Sequence, residues 1–190
     1  FTSHVEYLAK RGFYAIALDP PGTWESPGGI ELFTTTNSLK AVNELIEYFG
    51  NKPTLLLGHS RGGAVTVLAS TNPNVIGIVL VMAAYDDPSP LEPEDIEQGF
   101  KISYRDLPPG DKKTVEQKRF DLPINYWTDG KNYDVRATLK SCTKPKLLFS
   151  GTDDEFYALE EMQEIYDAIP EPKMLHELNS DHDYRYHPEI

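Results

Sequence analysis

The sequence holds one cysteine, Cys142, so no internal disulfide can form and no cysteine-based zinc spacing exists. Cationic side chains are also scarce: 18 Lys and Arg stand against 30 Asp and Glu, a net charge of −12. No basic stripe is long enough to track a phosphate backbone, which argues against a nucleic acid partner. An acidic surface disfavours anionic membranes as well, and the charge is read as serving solubility. Long hydrophobic runs are missing. The longest apolar stretch, "VIGIVLVMAA" from Val75 to Ala84, is too short to span a bilayer and carries a glycine. There is no visible signal peptide. The cysteine usage suits a reducing compartment, so a cytoplasmic protein is expected. An initiator methionine is lacking too. The chain opens on the helix-like "FTSHVEYLAKRG", which raises the expectation of a piece of a longer protein.

What is present is ordinary for a folded chain. Of the 190 residues, 39% are hydrophobic and 25% charged, enough for one domain, 1–190, with a sizeable core. Val5, Leu8 and Ala9 repeat at helical spacing, with Gly12 as a stop. Phe13 to Leu18 then reads as a buried strand ending at Asp19. "SLKAVNELIEYFG" places Leu39, Val42, Leu45, Ile46 and Phe49 on one helical face, with Gly50 as the stop. "PTLLLG" is a strand, "SRGGAVTVLAS" a helix of small residues, and "VIGIVLVM" and "PKLLFSG" are further strands. "EFYALEEMQEIYDAIP" is amphipathic, with Leu159, Met162, Ile165, Tyr166 and Ile169 on one face, and "KMLHEL" is a last short strand. Apolar strands alternating with helices predict an α/β fold: a mostly parallel sheet covered by helices on both faces. Residues 85–141, rich in proline, acid and aromatics, are too long for a plain connection. They read as an excursion inserted over the sheet. Phe100, Tyr104, Tyr126, Trp127 and Tyr133 either line a pocket there or form the excursion's own core.

Gly58-His59-Ser60-Arg61-Gly62 fits G-x-S-x-G and sits between a predicted strand and a predicted helix. A serine in such a sharp turn holds strained backbone angles. Its neighbours at Gly58 and Gly62 must be small, its hydroxyl is pushed into the open, and helix N-terminal N–H groups converge beside it. The lysine of a phosphate loop is missing. A nucleophilic serine needs a base, and the base needs an orienting acid. Among the five histidines, His4 reads as a surface residue and His59, adjacent to the serine, as pointing elsewhere. His176 falls inside the last strand. His182, in "NSDHDY", lies past that strand on the serine's edge of the sheet, with His187 in reserve. For the acid, Asp154 in "GTDD" follows a strand end, where ligand-facing groups collect in parallel sheets. Asp153 is its rival, one of the pair serving as a helix cap, and Asp86 or Asp87 is another position. Asp181, His182, Asp183 and His187 fit no known metal spacing.

The order Ser60, Asp154, His182, each at a strand end, carries a resemblance to the α/β-hydrolase fold superfamily. "GHSRGG" resembles its nucleophile elbow, "DPPGTWES" (Asp19–Ser26) its early loop D-x-x-G-x-G-x-S, "GTDD" its acid loop and "SDHDY" its histidine loop. The likeness spans essentially the whole chain, with 85–141 matching the family's cap by position only. Trp24 departs from the pattern, standing where the early loop has its second glycine. The family's H-G-type oxyanion loop is not found, nor the central strand that would lie between Phe13 and Pro53. The resemblance implies a serine hydrolase of a carboxylic ester or related acyl bond, with Ser60 as nucleophile, His182 as base and Asp154 orienting it. Arg61 would lend an oxyanion-hole N–H. A small-molecule acyl substrate is implied, and no metal or organic cofactor. The alternatives are a non-catalytic small-molecule-binding protein on the same fold, or an inactive fragment.

Overall fold

A computed structural model describes residues 1–86, 90–110 and 112–187. Helix α1 (Thr2–Ala9) leads into a segment without regular structure. Helix α2 (Thr35–Tyr48) follows, its first turn capped by Thr34, whose side chain accepts the Asn37 N–H. Strand β1 (Thr54–His59) runs straight into α3 (Arg61–Ala69), and β2 (Val75–Val81) ends the first half. The excursion contains α4 (Pro93–Gln98), an antiparallel hairpin of β3 (Phe100–Asp106) and β4 (Gln117–Pro123), a short α5 (Asn125–Thr128) and α6 (Val135–Ser141). Then come β5 (Lys146–Gly151), α7 (Leu159–Asp167) and β6 (Lys173–Leu178).

Strands β1, β2, β5 and β6 form a four-stranded, fully parallel sheet in the order β1-β2-β5-β6, flanked by helices. Parallel strands put all their C-terminal ends on one edge, and the register aligns them: His59 lies opposite Val81, Val81 opposite Phe149, and Gly151 opposite Leu178. Residues that follow these ends therefore converge. The core sits on the central strands. Val75, Ile78, Leu80 and Leu148 pack with Ile46 of α2, Val67 of α3 and Met162 and Ile165 of α7. Cys142, at the end of α6, is buried in the same cluster. Burying each such aliphatic side chain stabilises the fold by roughly 1.5–3 kcal/mol.

Two expectations need correction. The segment Phe13–Leu18 joins no sheet, and Tyr14 is 81% exposed. A strand exists only through its hydrogen-bonded neighbour. Among the described residues, nothing pairs with β1 on its outer edge, and residues 13–18 form no ladder with that or any other strand. Leu55 and Leu57 of β1 project from one face of the strand and are exposed, whereas Leu56 on the opposite face packs against the core. The other correction concerns α7, which starts at Leu159 rather than Glu155. The intervening residues are drawn into tertiary contacts: the Phe156 N–H donates to Asp154, and the Tyr157 hydroxyl reaches Asp86.

The excursion is fastened to the body at the start of α2. Asp129 accepts the Thr36 N–H at 2.8 Å and its hydroxyl at 2.7 Å, and thus caps α2 from outside that helix. Tyr133 shares the Thr36 hydroxyl, and Asn125 donates to the Glu31 carbonyl. Trp127 is buried, whereas Tyr104 stays exposed. The named aromatics thus divide among anchoring, internal packing and solvent.

Candidate active site

Ser60 follows β1 with φ 54° and ψ −125°, a conformation unusual for a side-chain-bearing residue. The surroundings force it. The Ser60 N–H donates to the Val81 carbonyl, and the Ser60 carbonyl accepts from Gly63 and Ala84. Close packing demands glycine at Gly58, where a Cβ would lie 2.2 Å from the Gly62 carbonyl oxygen, and at Gly63, where it would lie 2.3 Å from the Ala83 Cβ. Gly62 was expected to be the second such position, but a Cβ there meets open space. The helix α3 begins with Arg61, so its backbone N–H has no acceptor within the helix and lies beside Ser60.

His182 follows β6 and bridges the other two expected residues. The Ser60 hydroxyl donates to its Nε2 at 2.9 Å, and its Nδ1–H donates to Asp154 Oδ1 at 3.2 Å and Oδ2 at 3.3 Å. The Asp154 side chain is 2% exposed and that of His182 13%. Burial disfavours the Asp154 carboxylate. Hydrogen bonds from His182 and the Phe156 N–H outweigh that and hold it below the usual carboxylate range. An ionised acceptor at Nδ1 fixes the tautomer and leaves Nε2 with a free lone pair toward Ser60. This arrangement can remove the serine proton and stabilise the resulting imidazolium.

The rival positions do other things. Asp153 is exposed. Asp86 is engaged by Arg136 through Nε at 2.5 Å and Nη2 at 2.6 Å, and accepts the Tyr157 hydroxyl. Asp87 lies outside the described residues. His176 is exposed on β6 against Phe149, and His187 pairs with Asp181 at 3.3 Å. His4, expected as a plain surface residue, accepts or donates at the Tyr184 hydroxyl, 3.2 Å away. Among the described residues, no group of three His, Cys, Asp or Glu could hold a metal.

Sequence reasoning missed two side chains. The Arg61 guanidinium donates to Thr35 Oγ1 at 2.8 Å and to the Tyr126 carbonyl at 2.5 Å, and lies 3.8 Å over the Tyr126 ring. Its charge ties the residue after the serine to the excursion. His59, expected to point away, reaches the His182 carbonyl. No local pattern signals either contact, because the partners lie 65 and 123 residues off. In the early loop, Trp24 adopts φ 46°, the left-handed geometry its glycine position calls for, and its ring meets Phe120 of β4.

The sequence pattern described as alpha/beta hydrolase fold matches residues 1–107, and the chain belongs to that family. No curated protein sequence matches the chain. Solved structures resemble it closely in fold. The alpha/beta hydrolase GrgF from Penicillium sp. sh18 superposes with a TM-score of 0.71 at 16% identity, covering 99% of this chain and 79% of its own. The monoacylglycerol lipase of Paleococcus ferrophilus gives 0.70 at 20% identity, over 95% and 79%. Est1E from Butyrivibrio proteoclasticus, solved with ferulic acid bound, gives 0.66 at 19% identity, over 90% and 70%. No helix among the described residues is long and apolar enough to cross a membrane.

Proposed function

We propose that this chain is a serine hydrolase of carboxylic esters or related acyl bonds. The observation that carries the reading is His182, within hydrogen-bond reach of Ser60 on one ring nitrogen and of Asp154 on the other. His182 takes the Ser60 proton as the oxygen attacks the substrate carbonyl. Asp154 holds the Nδ1–H tautomer and stabilises the imidazolium. The Arg61 N–H faces the developing oxyanion, such a donor contributing about 3 kcal/mol to the transition state. His182 then protonates the leaving group, and water releases the acyl group from Ser60 with the same base. The chemistry needs no metal or organic cofactor. A lipase and a ferulic-acid-binding protein among the structural neighbours support an ester-class substrate. Residues 85–141 act as a cap over the site, with Arg61 and Asp129 as its fastenings. The lone buried cysteine suits a cytoplasmic setting.

The test is hydrolysis of p-nitrophenyl esters of graded chain length by the wild type and by Ser60→Ala. Turnover that vanishes in the variant supports the reading. Folded wild-type protein that binds such esters without turning them over favours a binding protein on the same fold.

A further inference from the structure

His182 is held by more than its ring. Its amide N–H donates to Glu155 Oε2 at 3.3 Å, and its carbonyl lies 2.8 Å from His59 Nε2. Both partners are sequence neighbours of the other two site residues: His59 precedes Ser60, and Glu155 follows Asp154. The backbone of the histidine loop is thus gripped from the serine side and from the acid side. The serine-side bond is the shorter.

A carbonyl cannot donate, so the proton of that bond sits on His59 Nε2. The ring is held neutral. Burial, and then the neighbouring His182, bring its pKa down to about 4. Arg185 acts in the same direction, while the His182 carbonyl and Asp183 act against it. The Tyr184 ring packs edge-on against His59, at 5.4 Å. The rings of His59 and His182 are 4.8 Å apart. A cation at His59 would therefore repel the imidazolium that the reaction forms on His182. Neutral His59 with its proton on Nε2 gives a hydrogen bond without that repulsion, and its Nε2 is not available as a second base.

We propose that His59 is a positioning residue: its Nε2–H, clamped on the His182 carbonyl, sets the distance between the His182 imidazole and Ser60 Oγ. The role rests on the hydrolase reading above. His59 ends β1, and Ser60 is the next residue, so the clamp references the base to the same rigid strand that carries the nucleophile. Residues 179–183 belong to no helix or strand and need such a reference. A displacement of roughly 1 Å at a reacting pair lowers rates by about 100-fold.

The experiment compares wild type, His59→Ala and His59→Gln, the last keeping an amide N–H at the Nε2 position. Turnover of p-nitrophenyl acetate is normalised to sites titrated by a fluorophosphonate, so that unfolded protein does not count. The expected result is a kcat about 10- to 100-fold lower in His59→Ala with KM changed less than about 3-fold, and recovery to within about 5-fold in His59→Gln. An unchanged kcat per titrated site in His59→Ala, or no recovery in His59→Gln, overturns the proposal. Long-range 1H–15N NMR of the wild type gives a reading independent of activity. A neutral Nε2–H ring at pH 5.5 is expected for His59, and a cationic ring or an Nδ1–H tautomer overturns the clamp. Wild-type protein that neither titrates nor turns over removes the hydrolase reading and the positioning role with it, and the NMR result then reports on the hydrogen bond alone.

Discussion

His182 Nε2 lies 2.9 Å from Ser60 Oγ although 122 residues separate the two in sequence. The fold makes this meeting by running every strand of its main sheet in one direction, so that a turn after β1 and a loop after β6 open on the same edge.

Asp154→Asn tests the proposed role of Asp154 as the orienting acid. The amide keeps the shape but can donate to Nδ1, which favours the tautomer with its proton toward Ser60. Turnover of p-nitrophenyl acetate falls by about 10⁴-fold. Asp153→Asn, on an exposed side chain, leaves turnover within about 2-fold. Equal losses in the two variants count against Asp154.

Asp86→Asn separates structure from chemistry. It weakens the paired contact with Arg136 and the hydrogen bond from Tyr157 without touching Ser60, His182 or Asp154. The partners are partly exposed, so a loss of about 1 kcal/mol is expected in urea denaturation. Turnover per folded molecule stays within about 3-fold. A loss as deep as that of Asp154→Asn would reassign the acid.

Gly63→Ala and Gly62→Ala differ by one position and diverge in stability. The added methyl of the first meets Ala83, at 2.3 Å before any relaxation, and the fold loses about 1–3 kcal/mol or more. The second meets open space within α3, where alanine restricts the unfolded chain, and it stabilises the fold by about 0.4–1 kcal/mol. Chemical denaturation measures both, and equal values contradict the packing described at the start of α3.

Arg61→Ala keeps the backbone N–H beside Ser60 and removes the guanidinium that holds Tyr126 and Thr35. The excursion loosens: limited proteolysis within 85–141 accelerates, and the melt weakens by about 1–3 kcal/mol. Proteolysis unchanged from wild type contradicts the fastening.

Stability depends on pH through His59. Its folded pKa of about 4 lies below the ordinary 6.5, so between those values the unfolded chain binds the proton and the folded chain does not. Stability is therefore fully present above pH 6.5 and falls as the pH drops toward 4, by at most about 3 kcal/mol. Asp154 contributes in a separate window, losing its share only as the pH falls below 3.8. His59→Gln removes the first window, so its stability falls less than that of wild type between pH 6.5 and 4. Parallel curves contradict the burial of a neutral His59.

The candidate site is legible in the sequence to the extent that its residues follow strand ends. Ser60, Asp154 and His182 each follow an apolar run, and the parallel sheet brings such positions together whatever their separation along the chain. The sheet itself was less legible at its margin. Phe13 to Leu18 has a strand's composition, yet strand formation depends on a partner, which composition does not reveal. The start of α7 is not legible locally, because Tyr157 is held by Asp86 across 71 residues. The side chains of Arg61 and His59 answer to Tyr126 and His182 and not to their neighbours in sequence. Local pattern carries no information about contacts of that range.

The proposed hydrolysis requires that Ser60 be a nucleophile activated by His182. A fluorophosphonate followed by intact-mass and peptide mapping tests it directly. The expected result is a single adduct on Ser60, absent in Ser60→Ala and formed at least about 10³-fold more slowly in folded His182→Ala. No adduct on folded wild-type protein, or an adduct on another residue, contradicts it.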